Sequence, residues 1–183
     1  MRVLVLLAAL CWAAAGSAQV LELKPANPQP TGLKQGLAVS YAFPAEVKSL
    51  KQAAKHAKKA KPGKPLAGLD YEDTRDGQPT LTARSAHKVV AKISGYVKFE
   101  KPGTYTIEFL SNDGLRASIG GKEVVFFDGR HPCEPGDPVQ AKVPSAGWYE
   151  LEALYFQRFG SACLHMLAGI GDPDWMPNTA FGY

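Results

Sequence analysis

The sequence lacks the short motifs that mark most enzyme active sites. Its 183 residues contain no Gly-x-Ser-x-Gly nucleophile elbow, no His-Glu-x-x-His zinc motif and no glycine-rich phosphate loop. The acidic residues between Asp70 and Asp76 could pair for glycoside hydrolysis. They share one polar loop, however, in which solvation explains them better. We therefore predict that the protein is not an enzyme.

The sequence also lacks an apolar run long enough to cross a membrane. The run over residues 3–15 is shorter than the roughly 20 residues that span a bilayer. It follows Arg2 and precedes Gly16-Ser17-Ala18, the small residues that a signal peptidase requires. We therefore predict a cleaved signal peptide over residues 1–18, export to the periplasm or the extracellular space, and a mature chain without a transmembrane segment.

Cysteine is scarce, and Cys11 would leave with the signal peptide. Cys133 and Cys163 remain, and an oxidising compartment favours one disulfide bond between them. Closing a loop of about thirty residues would stabilise the fold by about 3–4 kcal/mol. A zinc site is the alternative, because His131 and His165 each lie two residues from a cysteine, a spacing that places both side chains on one face of a strand.

Charge of one sign is not in large excess, but it is unevenly distributed. The formal net charge of +4 is too small to imply a nucleic-acid partner. Seven lysines lie between Lys48 and Lys64. A thin apolar stripe at helical spacing accompanies them: Val47, Leu50, Ala54 and Ala57. The segment predicts a helix that ends at Pro62-Gly63, and it is either a solvated surface helix or a contact for polyanions such as acidic polysaccharide or lipid headgroups.

Short segments of alternating apolar and polar residues make up most of the remaining chain. One spans Leu37–Phe43, and others follow one another from Val89 to Ala168, separated by turns. This pattern predicts an all-β fold, an antiparallel β-sandwich with the lysine-rich helix inserted after its first strand. We place an extended lead-in at 19–35, the sandwich domain at 36–170 and a C-terminal tail at 171–183.

Six short motifs follow one another in an order that resembles a known family. They are Gly95-Tyr96, PGTYTI over 102–107, SNDG over 111–114, IGGK over 119–122, DGRH over 128–131 and AGWY over 146–149. Together they resemble the protective-antigen-fourteen domain, the β-sandwich of anthrax protective antigen, yeast flocculins and some β-glucosidases. The resemblance extends from Gly36 to about Ala168.

This resemblance implies a secreted or cell-surface module that binds carbohydrate. In the sugar-binding flocculins, two aspartates joined by a cis peptide hold a calcium ion that coordinates sugar hydroxyls, and the matching residues here are Asn112 and Asp113. Asparagine offers only a neutral oxygen, so we expect a calcium site of lower affinity. The resemblance also places the loop containing Asp128, Arg130 and His131 at the same end of the sandwich, where it would contribute to the ligand-binding surface.

We therefore expect a non-catalytic glycan-binding module of the cell envelope or extracellular space. The alternative is a structural or protein-interaction sandwich that has lost the sugar site, since an Asn-Asp-Gly turn also forms without a metal. As a residue of a surface turn, Asp113 should tolerate replacement by alanine with little loss of stability, while ligand binding is abolished.

Overall fold

The alternating segments form two β-sheets whose apolar faces meet. A computed structural model describes residues 20–183, so the predicted signal peptide lies outside the described residues. The strands are β1 Leu21–Glu22, β2 Ala38–Ala42, β3 Lys61–Pro62, β4 Asp70–Tyr71, β5 Val89–Phe99, β6 Gly103–Ser111, β7 Leu115–Ile119, β8 Lys122–Phe127, β9 Glu134–Pro135, β10 Val139–Val143, β11 Gly147–Gln157, β12 Leu164–Gly169, β13 Asp174–Trp175 and β14 Phe181–Gly182. The helix α1 spans Leu50–Ala57, and a 3-10 turn spans Asn178–Ala180.

The two sheets have seven strands each. The first has the order β1-β10-β6-β12-β13, with β4 beside β12 and β9 beside β6. The second has the order β3-β2-β5-β11-β7-β8, with β14 beside β5. The long strands β5 and β11 pair antiparallel along their whole length, from Val89 opposite Gln157 to Phe99 opposite Gly147. The predicted antiparallel sandwich is confirmed, and the β1–β10 pair is a parallel exception at one edge.

The core lies between the sheets and is built from every second residue of their long strands. Ile93, Leu151 and Ile119 face inward from the second sheet, and Ile107 and Met166 face them from the first. Side chains of alternate residues point to opposite faces of a strand, so this periodicity selects the residues that face the core between the sheets. Tyr149 and Tyr155 of β11 are fully buried in this core.

Helix α1 covers part of the outer face of the second sheet. Val47, Leu50 and Ala53 pack against Leu154 and Phe156 of β11, forming a second apolar cluster. The Ser49 hydroxyl accepts a hydrogen bond from the Gln52 N–H at 3.3 Å. Serine at the N-cap and glutamine three residues later are typical of a helix start. Among residues 20–183, no helix combines the length and hydropathy needed to cross a bilayer.

The helix is shorter than its lysine pattern predicts. It ends at Ala57, and the chain returns as β3, where Lys61 pairs with Tyr41 and Pro62 with Ser40. Proline lacks an N–H group and is tolerated on an edge strand, which is where β3 lies. The helix was predicted to follow the first strand, but it follows the second. The reason is that Leu21–Glu22, predicted as part of an extended lead-in, forms the additional strand β1 in the other sheet.

Candidate functional site

The Asn112-Asp113-Gly114 turn joins β6 to β7 and is bound to two other loops. The Asn112 N–H donates to the Cys163 carbonyl at 3.3 Å, and the Asp113 N–H donates to the His131 carbonyl at 3.2 Å. Asp113 has a φ of +61°, a left-handed conformation that aspartate adopts more readily than most residues. Gly114 packs directly on the Phe156 ring and leaves no room for a side chain. The peptide between Asn112 and Asp113 is trans.

The Asp113 carboxylate lies inside the protein, with 0% of the residue exposed. Its Oδ2 accepts a hydrogen bond from the Arg158 N–H at 2.6 Å, whereas Oδ1 is buried and has no hydrogen-bond partner within the described chain. Burial raises the pKa of Asp113, opposed by the Arg158 N–H and by the positive charge of Arg130. The expectation that Asp113 lies at the surface is therefore wrong, because the start of the 158–161 loop folds over the turn.

His131 supports the same turn. Its Nε2 lies 3.0 Å from the Asp113 carbonyl oxygen, so in the tautomer that carries a proton there Nε2 donates to that carbonyl. The imidazole ring packs on Phe127 with a centroid distance of 3.7 Å. These contacts fix the position of the loop that follows β8 relative to the 112–114 turn.

The predicted disulfide between Cys133 and Cys163 is confirmed, with a Cα–Cα distance of 5.9 Å. The zinc alternative is wrong, because both thiols are used in this bond and the two histidines have other partners. His131 contacts the Asp113 carbonyl, and His165 Nδ1 lies 3.2 Å from Asp70 Oδ1. The disulfide joins the loop after β8 to the loop before β12.

A buried hydrogen-bond network shapes the loop 158–161. The Tyr155 hydroxyl donates to Gln157 Oε1 at 2.8 Å. Gln157 Nε2 then donates to the Phe159 carbonyl at 2.9 Å and to the Ser161 carbonyl at 2.6 Å. Sequence reasoning missed this loop as part of a site. The signal in the sequence was Phe159, an aromatic residue outside the strand alternation; in the structure this residue is 41% exposed.

These loops enclose a cleft of about 440 Å³ at the end of the sandwich. Its lining residues are Asn112, Arg130, His131, Pro132, Phe159, Gly160 and Ser161. The structure thus brings together three of the predicted site residues, Asn112, Arg130 and His131, with Asp113 buried directly behind them. It places Asp128 elsewhere, because Asp128 Oδ1 accepts a hydrogen bond of 2.6 Å from the Leu50 N–H at the start of α1.

Comparison with known proteins gives one matching family and a set of similar structures. The sequence profile of the PA14 domain matches residues 34–180. No curated protein sequence matches the chain. The PA14 domain of the MpAFP antifreeze protein is similar in structure, with a TM-score of 0.68 and 12% identity over 84% of this chain and 93% of that one.

Two further similar structures come from adhesins. The PA14 sugar-binding domain from an RTX adhesin has a TM-score of 0.64 and 15% identity, over 81% of this chain and 98% of that one. The A domain of epithelial adhesin 9 from Candida glabrata, solved in complex with Galb1-3GlcNAc, has a TM-score of 0.63 and 12% identity, over 90% of this chain and 95% of that one. At these identities the likeness shows the fold alone.

Proposed function

Because the chain belongs to the PA14 domain family, we propose that it is a non-catalytic glycan-binding module and that the cleft between residues 112, 130–132 and 159–161 holds the sugar. The observation that carries this proposal is the cleft itself, whose two walls are joined by the Cys133–Cys163 disulfide. Its volume of about 440 Å³ lies within the range of ligand pockets in proteins, roughly 300–1,000 Å³. The sugar-binding description of the RTX adhesin domain and the Galb1-3GlcNAc bound to the epithelial adhesin 9 domain support the same function.

The cleft offers the groups that a sugar needs. The Asn112 amide, the Arg130 guanidinium and the Ser161 hydroxyl provide hydrogen-bond donors and acceptors for adjacent sugar hydroxyls. Phe159 is partly exposed beside them, with the Lys88 and Arg158 cations over its ring at 5.5 and 5.4 Å, and its free surface can pack on the apolar face of a pyranose. A cleft that combines one exposed aromatic ring with a few convergent polar groups is typical of a small-ligand site.

We further propose that Asp113 and Asn112 hold a calcium ion behind the sugar. The residues fit this ion, because the Asp113 Oδ1 atom is a buried carboxylate oxygen without a partner, and such an oxygen is costly unless a cation or a proton satisfies it. Calcium prefers carboxylate and amide oxygens, both of which the turn supplies. When bound, the ion would contribute free coordination positions for sugar hydroxyls. One carboxylate in place of two implies weak binding.

The disulfide also supports export, since such bonds persist mainly outside the cytoplasm. We therefore place the module in the periplasm or the extracellular space, with a carbohydrate or cell-surface glycan as its partner.

A glycan array, run with calcium and again with a chelator, tests both parts of the proposal. We expect a defined set of neutral glycans to bind and their signal to fall when calcium is removed. For the best glycan, Phe159→Ala should weaken binding by about tenfold, the loss of one ring-stacking contact. Phe126→Ala is the matched control, because Phe126 is an exposed phenylalanine on β8 that does not line the cleft.

Three outcomes would change the interpretation. No binding to any glycan would favour the structural or protein-interaction alternative. Binding that persists in the presence of the chelator would support the cleft as the glycan site and contradict the proposed calcium ion. Equal losses in Phe159→Ala and Phe126→Ala would show that the sugar binds elsewhere.

A further inference from the structure

A second groove, of about 670 Å³, lies at the C-terminal end of the lysine-rich segment 48–64, between the β2–β3 pair and residues 82–84. Four of its lining side chains are cationic and two are aromatic: Lys59, Lys61, Lys64, Arg84, Tyr41 and Phe43. No aspartate or glutamate lines it. The groove is separate from the proposed glycan cleft, with which it shares no lining residue.

The fold holds the lysines around this groove through specific contacts. The Gly63 N–H donates to the Val39 carbonyl at 2.9 Å, and a side chain at Gly63 would lie 2.5 Å from the Tyr41 ring, so the backbone packs flat on that ring. The Thr82 hydroxyl donates to the Lys64 carbonyl at 2.6 Å and lies 2.8 Å from the Tyr41 hydroxyl. Burial raises the pKa of Tyr41 to about 12, so its hydroxyl stays a neutral donor.

The positive charge of the chain is concentrated in this region. The segment from Lys48 to Lys64 holds seven of the 21 basic residues and none of the 17 acidic ones, so acidic residues outnumber basic ones in the rest of the chain. Within residues 20–183, none of the four cations of the groove forms an ion pair with a carboxylate. Like charges that converge without a counter-charge repel one another, and a bound polyanion relieves that repulsion.

The shape of the groove favours a linear chain over a flat surface. The cations line a concave space rather than a protruding face, and the Arg84 guanidinium stacks over the Phe43 ring at 4.8 Å. Phe43 also stacks beside Tyr41 at a centroid distance of 6.2 Å, and the 39% of the residue that remains exposed can contact the apolar face of a pyranose. A membrane surface would instead meet cations on a convex or flat face with apolar side chains inserted between them.

We propose that this basic groove binds an acidic polysaccharide, a linear glycan whose carboxylate or sulfate groups pair with Lys59, Lys61, Lys64 and Arg84 while Phe43 packs on a sugar ring. The protein would then have two glycan sites of different chemistry. The cleft at residue 112 accepts neutral hydroxyls, and the basic groove accepts anionic groups. This proposal does not depend on the function of the cleft.

Fluorescence polarisation with labelled oligogalacturonate, at low and at high salt, tests the basic groove. At the lower salt concentration, about 0.15 M, the triple variant Lys59→Gln, Lys61→Gln, Lys64→Gln should bind about tenfold more weakly, as expected for the loss of three exposed charge pairs. The matched control is Lys48→Gln, Lys51→Gln, Lys55→Gln, which removes the same charge from the same segment outside the groove. At that salt concentration the Debye length is about 8 Å, so the control should change the affinity less than about twofold, because exposed charges farther than this from the bound chain are screened. Circular dichroism confirms that each variant is folded.

Equal weakening in the two triple variants, or none in either, would overturn the proposal, because the charge would then act diffusely or not at all. Binding of phosphatidylglycerol vesicles without binding of oligogalacturonate would also overturn it in favour of a membrane contact. Arg130→Gln, in the cleft, should leave oligogalacturonate binding unchanged, so failure of the cleft and failure of the basic groove can be told apart.

Discussion

Replacement of Asp113 separates its structural role from its role as a cation ligand. Asp113→Ala removes the hydrogen bond that Oδ2 accepts from the Arg158 N–H, and it places alanine at a φ of +61°. A hydrogen bond to a charged group contributes about 1.5–3 kcal/mol, and the left-handed conformation costs alanine about 1–2 kcal/mol. Removing a buried carboxylate recovers about 1–3 kcal/mol of desolvation. The free energy of unfolding should therefore fall by about 1–3 kcal/mol.

Asp113→Asn is the matched variant. Asparagine keeps an oxygen that can accept from the Arg158 N–H and tolerates the left-handed conformation, but it lacks the charge that calcium requires. We expect urea unfolding, followed by tryptophan fluorescence, to show a smaller loss of stability than in Asp113→Ala. Calcium should raise the unfolding midpoint of the wild-type protein and leave that of Asp113→Asn unchanged.

The pH dependence of the same measurement follows from the direction of the pKa shift. Burial raises the folded-state pKa of Asp113 above its ordinary value of 3.8, so the folded protein binds this proton more tightly than the unfolded chain does. The resulting stabilisation is fully present below the unfolded pKa and is lost as the pH rises through the folded pKa. Without calcium, the stability of the wild type relative to Asp113→Asn should fall across that interval. With calcium, affinity should fall as the pH is lowered through it, because protons and calcium compete for the same oxygens.

Two results would refute this reasoning. If Asp113→Ala were as stable as the wild type, the contact with Arg158 would carry no structural weight. If calcium raised the midpoint of Asp113→Asn as much as that of the wild type, the ion would bind elsewhere.

Further expectations concern the disulfide and helix α1. Replacing both cysteines of the Cys133–Cys163 pair by serine should lower the free energy of unfolding by about 3–4 kcal/mol in the loop-entropy model. In the wild-type protein, mass mapping of unreduced peptides should recover the two cysteine peptides linked, and free thiols would contradict the disulfide. Asp128→Ala should cost about 1 kcal/mol, because Asp128 accepts from the first N–H of the helix, and it should leave glycan affinity unchanged. If Asp128→Ala lost glycan binding without losing stability, Asp128 would contribute to the glycan site after all.

The sequence was sufficient to predict the sandwich, and the reason is physical. In β6 the alternation of Tyr105, Ile107 and Phe109 with polar residues selects one face for burial, whatever strand lies beside it. The strand partners themselves could not be predicted in this way. The six two-residue strands, β1, β3, β4, β9, β13 and β14, have no periodicity to detect, because they form only where a longer strand offers an unpaired edge.

The residues of the candidate site could be predicted only where they fall in short sequence motifs. Asn112, Arg130 and His131 fall in motifs that can be recognised in the sequence, and the structure brings them to one cleft. The burial of Asp113 could not be predicted, since it depends on Arg158, which lies 45 residues further along the chain. Likewise Asp128, close to Arg130 in sequence, turns to the start of α1, a contact set by how the helix packs on the second sheet.

The two walls of the cleft are held by different contacts within the folded protein. The wall formed by the loop 158–161 is held by Gln157, whose amide is itself oriented by the buried Tyr155 hydroxyl. The wall around His131 is held by its contact with the Asp113 carbonyl and by the covalent link from Cys133 to the first wall. Loops that are ordered before a ligand arrives contribute less to the entropic cost of binding than loops that must be ordered by it. The buried polar network beneath the cleft therefore favours affinity for the proposed ligand without contacting it.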